Sequence, residues 1–362
     1  MPLARAGSQV TPDAVVFRLT DPDHQLIGVS LWSDLELPDA GVPFGRVADG
    51  WELRIPLPRL DRIEYMYSVR GTGGGGSLIL DPGNPLRVGG AFGEHSWLPM
   101  PGYHPPDWLI GPAFAHDRLL HEIDTQVGTI GVEVWSPADS GDGASGSEAL
   151  PLLLSHDGPE MDIFGQLTHC VGALIASGRL PRMRVALLSP GPRNDRYAAN
   201  PAYSAALVEE VLPAVLAHHP TNHAPVLMGQ SLGALAALHA QWQHPGTFGG
   251  LFLQSGSFFT QHLDPQESGF AGFGAITEFV GAVHQGAGGD HPAAAGRLGG
   301  AAYALVCGSA EENLGNNRLL AARLRAAGLD VAWGEVRDGH YWTTWRDLLD
   351  PHLPELLRRV WG

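Results

Sequence analysis

The sequence contains no lysine, because all 22 basic residues of the 362-residue chain are arginines. Without a lysine, the protein cannot form the Schiff bases of pyridoxal-phosphate enzymes or of imine-forming aldolases. It also lacks the lysine that contacts phosphates in Walker-type nucleotide-binding loops and in protein kinases. The absence excludes imine chemistry and argues against both of these nucleotide-binding folds.

Positive charge is scarce throughout the chain. Acidic residues number 38 against 22 basic ones, which gives a formal net charge of −16. A chain this acidic presents no basic face to nucleic acid and repels anionic membranes. We therefore predict a soluble protein with neither nucleic acid nor membrane as a partner. If its substrate is an anion, arginine must bind it, with bidentate geometry.

Cysteine is also rare, and long apolar runs are missing. Cys170 and Cys307 are the two cysteines and lie far apart in the sequence. Their number and spacing indicate neither a disulfide framework nor a zinc site, and we predict no metal and no cofactor. No apolar stretch has the length of a signal peptide or a transmembrane helix. The predicted location is therefore the cytoplasm, while the oligomeric state is left open.

Two kinds of hydrophobic pattern divide the chain. Residues 14–110 contain short β-branched and aromatic segments separated by turn residues, which is typical of a small immunoglobulin-like sandwich. From about residue 117, strand-like and helix-like segments alternate, which favours a mostly parallel sheet covered by helices. Prolines and tryptophans over 97–113 indicate a stiff connection. We predict an all-β domain over residues 1–112 and an α/β domain over 113–362.

Residues 229–233 read GQSLG and fit the G-x-S-x-G pattern of a nucleophile elbow. A strand-like segment at 224–228 precedes this turn and a helix-like segment at 232–242 follows it. This order lifts a serine hydroxyl above the sheet of an α/β-hydrolase fold, and the glycines permit the tight turn. The alternative is an ordinary turn whose serine caps the helix. Ser231 is therefore the candidate nucleophile of an α/β-hydrolase domain.

A serine needs a base and an orienting acid, which follow it in this fold in the order serine, acid, histidine. Ten histidines precede Ser231 and break that order. Among the later ones, His340 follows the strand-like segment 331–336 and precedes the last helical segment. This is where the fold presents its base, so His340 is the candidate base; a turn histidine without a role is the alternative.

The acid is expected in the loop after the strand-like segment 302–306. That loop contains two glutamates, Glu311 and Glu312. We favour Glu311, with Glu312 as the alternative. Asp338 ranks third because it shares the loop of the candidate base.

The oxyanion of an acyl-transfer reaction is stabilised by backbone N–H groups. One donor is expected to be the amide of Leu232, directly after the serine. The other is expected in the loop 155–160, where Pro159 has no N–H. The amides of Gly158 and Glu160 therefore remain as candidate donors, with Gly158 as the first candidate and Glu160 as the alternative.

Arg193 follows the strand-like segment 185–188, at the edge of the sheet where ligands bind in such folds. It is the candidate cation for an anionic substrate. The alternative is a structural arginine that pairs with Asp195 or Glu209.

Several runs of the sequence together resemble the enterochelin (enterobactin) esterase family, an esterase-D-like group of α/β-hydrolases with an N-terminal β-sandwich domain. The resemblance extends over nearly the whole chain, and the H-x-W-x-x-W-R stretch is its most specific part. The runs are MGQSLGAL at 228–235, QSGS at 254–257, CGSAEEN at 307–313 and GHYWTTWR at 339–346.

The resemblance implies an enzyme that hydrolyses the esters of ferric catecholate siderophores and releases iron in the cytoplasm. It implies Ser231 as nucleophile, His340 as base and Glu311 at the position of the acid. Arg193 falls where the family has an arginine, and Trp342 of the H-x-W stretch is added as a substrate-binding candidate.

Two other classes of function remain open. One is a feruloyl or other carbohydrate-linked esterase, since such enzymes share the hydrolase fold and some carry a similar sandwich. The other is a non-catalytic binding protein on a hydrolase fold. The sequence alone does not identify the ester, the oxyanion donor or the role of the sandwich.

Overall fold

A computed structural model describes residues 7–33, 35, 43–91, 93–138, 148–287 and 293–362. The chain divides into two compact units that do not follow a single cut in the sequence. The first unit contains the residues up to His104, together with Gly308–Glu311 and Arg337–Thr344; the second contains Pro105–Cys307, Glu312–Val336 and Trp345–Gly362.

The described strands of the first unit form two antiparallel sheets. They are β1 (Gln9–Val10), β2 (Ala14–Thr20), β3 (Leu26–Trp32), β4 (Gly45–Val47), β5 (Gly50–Pro56), β6 (Arg62–Gly71), β7 (Gly76–Ile79), β8 (Arg87–Gly90) and β9 (Gly93–Pro99). One sheet has the order β1-β2-β5-β4; the other has the order β3-β6-β9-β8, with β7 also paired to β6.

The two sheets of the first unit share one apolar core. Alternate residues of β5 (Trp51, Leu53 and Ile55) are buried, as the period of a strand with one solvated face requires. They belong to the same cluster as Tyr65 and Tyr67 of the second sheet. The unit is therefore a β-sandwich.

The carboxylate of Asp81 is fully buried in this sandwich. Its Oδ2 accepts hydrogen bonds from the hydroxyls of Ser8 at 2.6 Å, Tyr65 at 2.7 Å and Tyr67 at 2.9 Å. Burial raises the pKa of both tyrosines, and the charge of Asp81 raises it further. Both phenols consequently remain protonated donors, and this compensates the burial of the charge.

The described strands of the second unit form one eight-stranded sheet of order β10-β11-β13-β12-β14-β15-β16-β17. They are β10 (His116–Ile123), β11 (Ile130–Pro137), β12 (Leu152–Ser155), β13 (Arg184–Leu188), β14 (Val226–Gln230), β15 (Gly250–Gln254), β16 (Ala302–Gly308) and β17 (Asp330–Val336). The pairs from β13 to β16 are parallel, whereas β10 and β11 pair antiparallel. Every residue of β12 to β16 is buried, as expected for strands covered on both faces.

Helices connect these strands and cover the sheet. They are α1 (Gly158–Ile163), α2 (Leu167–Ala176), α3 (Arg193–Tyr197), α4 (Pro201–Ala205), α5 (Leu212–His218), α6 (Leu232–Gln243), α7 (Phe273–Ala287), α8 (Ala293–Leu298), α9 (Leu314–Ala326), α10 (Trp342–Asp347) and α11 (Leu349–Trp361). A π-helical turn (Ala206–Val211) joins α4 to α5, and 3₁₀ turns lie at Asp107–Ile110 and Pro265–Gly269.

The predicted fold class is confirmed, because an antiparallel all-β region precedes a mixed α/β domain. The helix after the GQSLG turn coincides with α6 and is buried along most of its length. Strand β10 was not expected from the sequence, since its residues are mostly exposed and mix charges with leucines. Within the described residues, no helix has the length and apolarity needed to cross a membrane.

Candidate active site

Ser231 occupies a strained turn between β14 and α6. Its φ of 55° and ψ of −122° lie where residues other than glycine are rarely found. A Cβ atom added to Gly229 would lie 2.3 Å from the carbonyl carbon of Gly233, so the two backbones approach too closely for any side chain. This crowding explains the glycine before the serine.

The loop after β15 holds this turn in place. The amide of Ser231 donates to the carbonyl of Gln254 at 3.0 Å, and the carbonyl of Ser231 accepts from the amide of Ser257 at 3.1 Å. The hydroxyl of Ser257 lies 3.2 Å from the Ser231 hydroxyl, and Ser257 is buried. Sequence reasoning assigned no role to Ser257; its place directly after a buried strand, in the QSGS run, was the available signal.

The two candidate oxyanion donors both begin helices. Leu232 is the first residue of α6 and Gly158 is the first residue of α1, where amides have no acceptor within the helix. A Cβ atom on Gly158 would lie 2.3 Å from the Cα atom of Leu187, so only glycine fits against β13. The residue before it, Asp157, has a left-handed conformation with φ of 47°. The loop is therefore packed tightly onto the sheet.

Arg193 is paired with a carboxylate that sequence reasoning had not considered. Its Nε and Nη2 atoms each donate to Asp157, both at 2.8 Å, and Nη2 also lies 3.4 Å from the carbonyl oxygen of Gln230. The alternative partners, Asp195 and Glu209, were wrong. Burial by itself would lower the pKa of Arg193, but the hydrogen bonds and charge of Asp157 raise it, so the guanidinium stays charged.

The Arg193–Asp157 pair lies against the elbow. Asp157 Oδ2 would be 3.1 Å from a Cβ atom on Gly233, and the guanidinium reaches the carbonyl of the residue before Ser231. The pair thereby links the loop of Gly158 to the turn of Ser231. This is a structural role, in addition to any contact with a substrate.

His156, directly after β12, is fully buried between Tyr197 and Tyr203. Neither of its ring nitrogens has a hydrogen-bond partner within the described part of the chain. Burial, together with the nearby charge of Arg193, lowers the pKa of His156 to about 3. The ring is therefore neutral near pH 7 and packs as an apolar group behind the elbow.

In the first unit, His340 and Glu311 form a hydrogen-bonded pair. The Nδ1 atom of His340 lies 2.7 Å from Oε2 of Glu311, and the side chain of Glu311 is 1% exposed. The other carboxylate oxygen accepts from the amide of Gly308 at 2.7 Å. With Nδ1–H as the donor to Glu311, Nε2 of His340 is the basic nitrogen.

The other candidate acids are placed differently. Glu312 is exposed to solvent, whereas Asp338 is buried and pairs with Arg62 at 2.6 Å. Of the three acids, Glu311 is the one that the described contacts bring to His340. Trp342, at the start of α10, is half-buried, and its Cδ1 atom would be 3.5 Å from a Cβ atom on Gly90 of β8.

The candidate residues are distributed over both units. The second unit contains Ser231, Leu232, Gly158 and Arg193, whereas His340, Glu311 and Trp342 belong to the first. No group of three or more potential metal ligands was found among the described histidines, cysteines, aspartates and glutamates.

Comparison with known proteins identifies a family and a fold. A family model described as "Putative esterase" matches residues 127–356. Ferric enterobactin esterase from Salmonella typhimurium is 22% identical, with a TM-score of 0.78 over 98% of this chain and 97% of its own. Enterobactin esterase from Shigella flexneri, solved in the presence of enterobactin, is 22% identical, with a TM-score of 0.74 over 99% and 97%.

A ferulic acid esterase is a more distant match: it is 18% identical, with a TM-score of 0.57 over 69% of this chain and 100% of its own. No curated protein sequence matches this chain. At these identities the structures establish the shared fold. The resemblance found in the sequence is therefore confirmed for the fold and for the esterase family.

Acid should destabilise the protein through His156. Its pKa is about 3 in the folded protein, against the ordinary value of 6.5, so between these values the unfolded chain binds more protons. The stability it contributes is complete above about pH 6.5 and is lost as the pH falls towards 3. Urea unfolding should show a loss on the order of 2 kcal/mol from His156 between pH 8 and pH 5.

The matched variants are His156→Gln and His104→Gln, since His104 is exposed. The first should flatten the pH dependence in this range and the second should leave it unchanged. Identical pH dependence in the parent and in His156→Gln would contradict the assignment.

Proposed function

The chain belongs to the esterase family that matches residues 127–356, and from this premise we propose that it is a serine esterase acting on ferric catecholate siderophores. The observation that carries the catalytic part is the 2.7 Å hydrogen bond between His340 and the buried Glu311, in a chain whose Ser231 occupies a strained elbow. Ser231, Glu311 and His340 follow the ends of β14, β16 and β17, in the chain order of an α/β-hydrolase triad.

Acylation begins when Nε2 of His340 takes the proton of the Ser231 hydroxyl. The oxygen attacks the ester carbonyl, and the amides of Leu232 and Gly158 stabilise the resulting oxyanion. Glu311 holds the tautomer with Nδ1–H and stabilises the imidazolium. Collapse of the tetrahedral intermediate breaks the ester C–O bond, and His340 gives its proton to the departing alcohol.

Deacylation repeats these steps with water. His340 takes a proton from the water, the hydroxide attacks the acyl-enzyme, and Ser231 leaves with the proton that His340 returns. The products are a carboxylic acid and free enzyme. For a trilactone, each such cycle opens one ester, and the weakened chelate releases its ferric ion, which is substrate rather than a resident metal.

The choice of substrate rests on how much of this chain the known structures cover and on the charge of the substrate. The enterobactin esterase structures cover 98–99% of this chain, whereas the ferulic acid esterase covers 69%. A ferric tris-catecholate is an anion, and in a chain of net charge −16 that has no lysine we propose Arg193 as the cation that binds it and Trp342 as a further candidate contact. These observations favour a siderophore over a feruloylated carbohydrate, and the cytoplasm is the proposed location.

Replacing the nucleophile tests the mechanism. Ser231→Ala should reduce kcat for p-nitrophenyl acetate by about 10⁴- to 10⁶-fold. The matched control is Ser257→Ala, which removes the neighbouring hydroxyl and should cost less than about tenfold. Turnover by Ser231→Ala within about tenfold of the parent would overturn the mechanism.

The two adjacent glutamates give a second test. Glu311→Gln should lower kcat by up to about 10⁴-fold, because the amide cannot hold the charged imidazole in the same way. Glu312→Gln, one residue away and exposed, should stay within about twofold of the parent. If Glu311→Gln keeps the parental kcat while Glu312→Gln loses most of it, the acid of the triad is Glu312.

The substrate class is tested by incubation with ferric and apo catecholate trilactones, p-nitrophenyl esters and feruloylated sugars, with products identified by mass spectrometry. We expect preferential opening of the ferric trilactone. Arg193→Ala should raise KM for that anion on the order of tenfold more than for neutral p-nitrophenyl acetate, and Arg193→Lys should not restore it. Equal losses on both esters would leave Arg193 with its structural role only.

A further inference from the structure

The segment that carries His340 is held by the first residues of β6, on the sandwich. The amide of Asp61, directly before β6, donates to the carbonyl of Arg337 at 2.6 Å. Arg62 and Asp338 form an ion pair of 2.6 Å. The hydroxyl of Thr343 donates to Glu64, also on β6, at 2.5 Å. The start of β6 and the residue before it therefore contact the segment on both sides of His340, at Arg337, Asp338 and Thr343.

The central contact, between Arg62 and Asp338, is buried. The side chains are 1% and 0% exposed. An aspartate that loses such a partner is left with an uncompensated charge in an apolar environment, so it must take up a proton or move. Movement displaces the backbone two residues before His340, and protonation weakens the hydrogen bond that Asp338 accepts from the amide of Gly339.

Asp338 also organises the loops of both the base and the acid. Its Oδ1 atom accepts from the amide of Gly339 at 3.0 Å, and its carbonyl accepts from the amide of Ala310 at 3.0 Å. A Cβ atom on Gly308 would lie 2.3 Å from that carbonyl oxygen, so the two loops are in close contact there. One aspartate thus connects the backbones on either side of the Glu311–His340 hydrogen bond.

The residue after His340 is fixed in a different way. Tyr341 is 3% exposed and belongs to the apolar core of the sandwich. Its hydroxyl lies 3.2 Å from that of Ser33. His340 itself is 31% exposed, between a buried ion pair and a buried ring.

We propose that Arg62 is a positioning residue for catalysis, which holds His340 in register with Glu311 through its buried ion pair with Asp338. This inference rests on the proposed function, because it takes His340 to be the catalytic base. It gives the sandwich a part in the chemistry itself. Displacement of a base by about 1 Å can cost on the order of a hundredfold in rate.

The test compares single and double variants of the full chain on p-nitrophenyl acetate. Arg62→Met and Asp338→Leu should each lower kcat by about 10- to 100-fold with KM within about threefold, and should lower Tm. The double variant Arg62→Met/Asp338→Leu removes both charges, so its Tm should recover towards the parent. Its kcat should stay low, because Gly339 still lacks the acceptor that Asp338 supplied.

Spectroscopy separates positioning from general stability. The proton between His340 and Glu311 should give a low-field NMR resonance in the parent that is lost or broadened in both single variants. Tyr65→Phe is the matched control, since it removes a buried hydrogen bond from the same strand without touching the 337–344 segment. It should lower Tm and leave kcat and the resonance unchanged.

The outcomes distinguish the two proposals. If Ser231→Ala is inactive while the folded double variant keeps parental kcat and the low-field resonance, the positioning role is wrong and the esterase mechanism stands. If Ser231→Ala retains activity, the proposed function is wrong. If the single variants do not fold, Thr343→Val is the milder substitution, and it should lower kcat at an unchanged KM. A parental kcat in both Thr343→Val and the double variant would overturn the inference.

Discussion

The close approach of two backbones at the elbow is the constraint on which the candidate site depends. Gly229 lies so near Gly233 that no side chain fits, and Ser231 between them has a positive φ. Such a conformation persists only when its surroundings hold it. Here β15 and its loop supply hydrogen bonds to both the amide and the carbonyl of Ser231. The reactive hydroxyl is presented by a turn that the sheet, rather than the local sequence, stabilises.

The absence of lysine is matched by arginines that serve in the interior. Arg62 is 1% exposed and Arg184 is 1% exposed, and Arg193 makes a two-point contact with Asp157. The planar guanidinium has several donors in a fixed geometry and is less strongly hydrated than an ammonium group. An acidic chain can therefore bury its few cations against carboxylates and carbonyls. The arginine first considered for substrate binding is at the same time a link between the elbow and the Gly158 loop.

Much of this arrangement could be predicted from local patterns. The alternation in β5, the continuous apolar runs of β12 to β16 and the helix after the GQSLG turn follow from residue period and from glycine. The partner of Arg193 could not be predicted, because Asp157 lies 36 positions away and two nearer carboxylates competed for it. The QSGS run marked Ser257 only as a residue close after a buried strand, and its 3.2 Å contact with the Ser231 hydroxyl depends on how two strands and their loops pack.

The sequence by itself determined the hydrolase fold, the elbow serine and the histidine of the last loop, because each depends on short-range order along the chain. Only the tertiary structure decided which acid meets His340, since Glu311 and Glu312 are adjacent and differ in burial. It alone joined Arg62 to Asp338, 276 residues apart. Contacts of this kind depend on how strands and loops pack, and a buried charge selects its partner only once that packing exists.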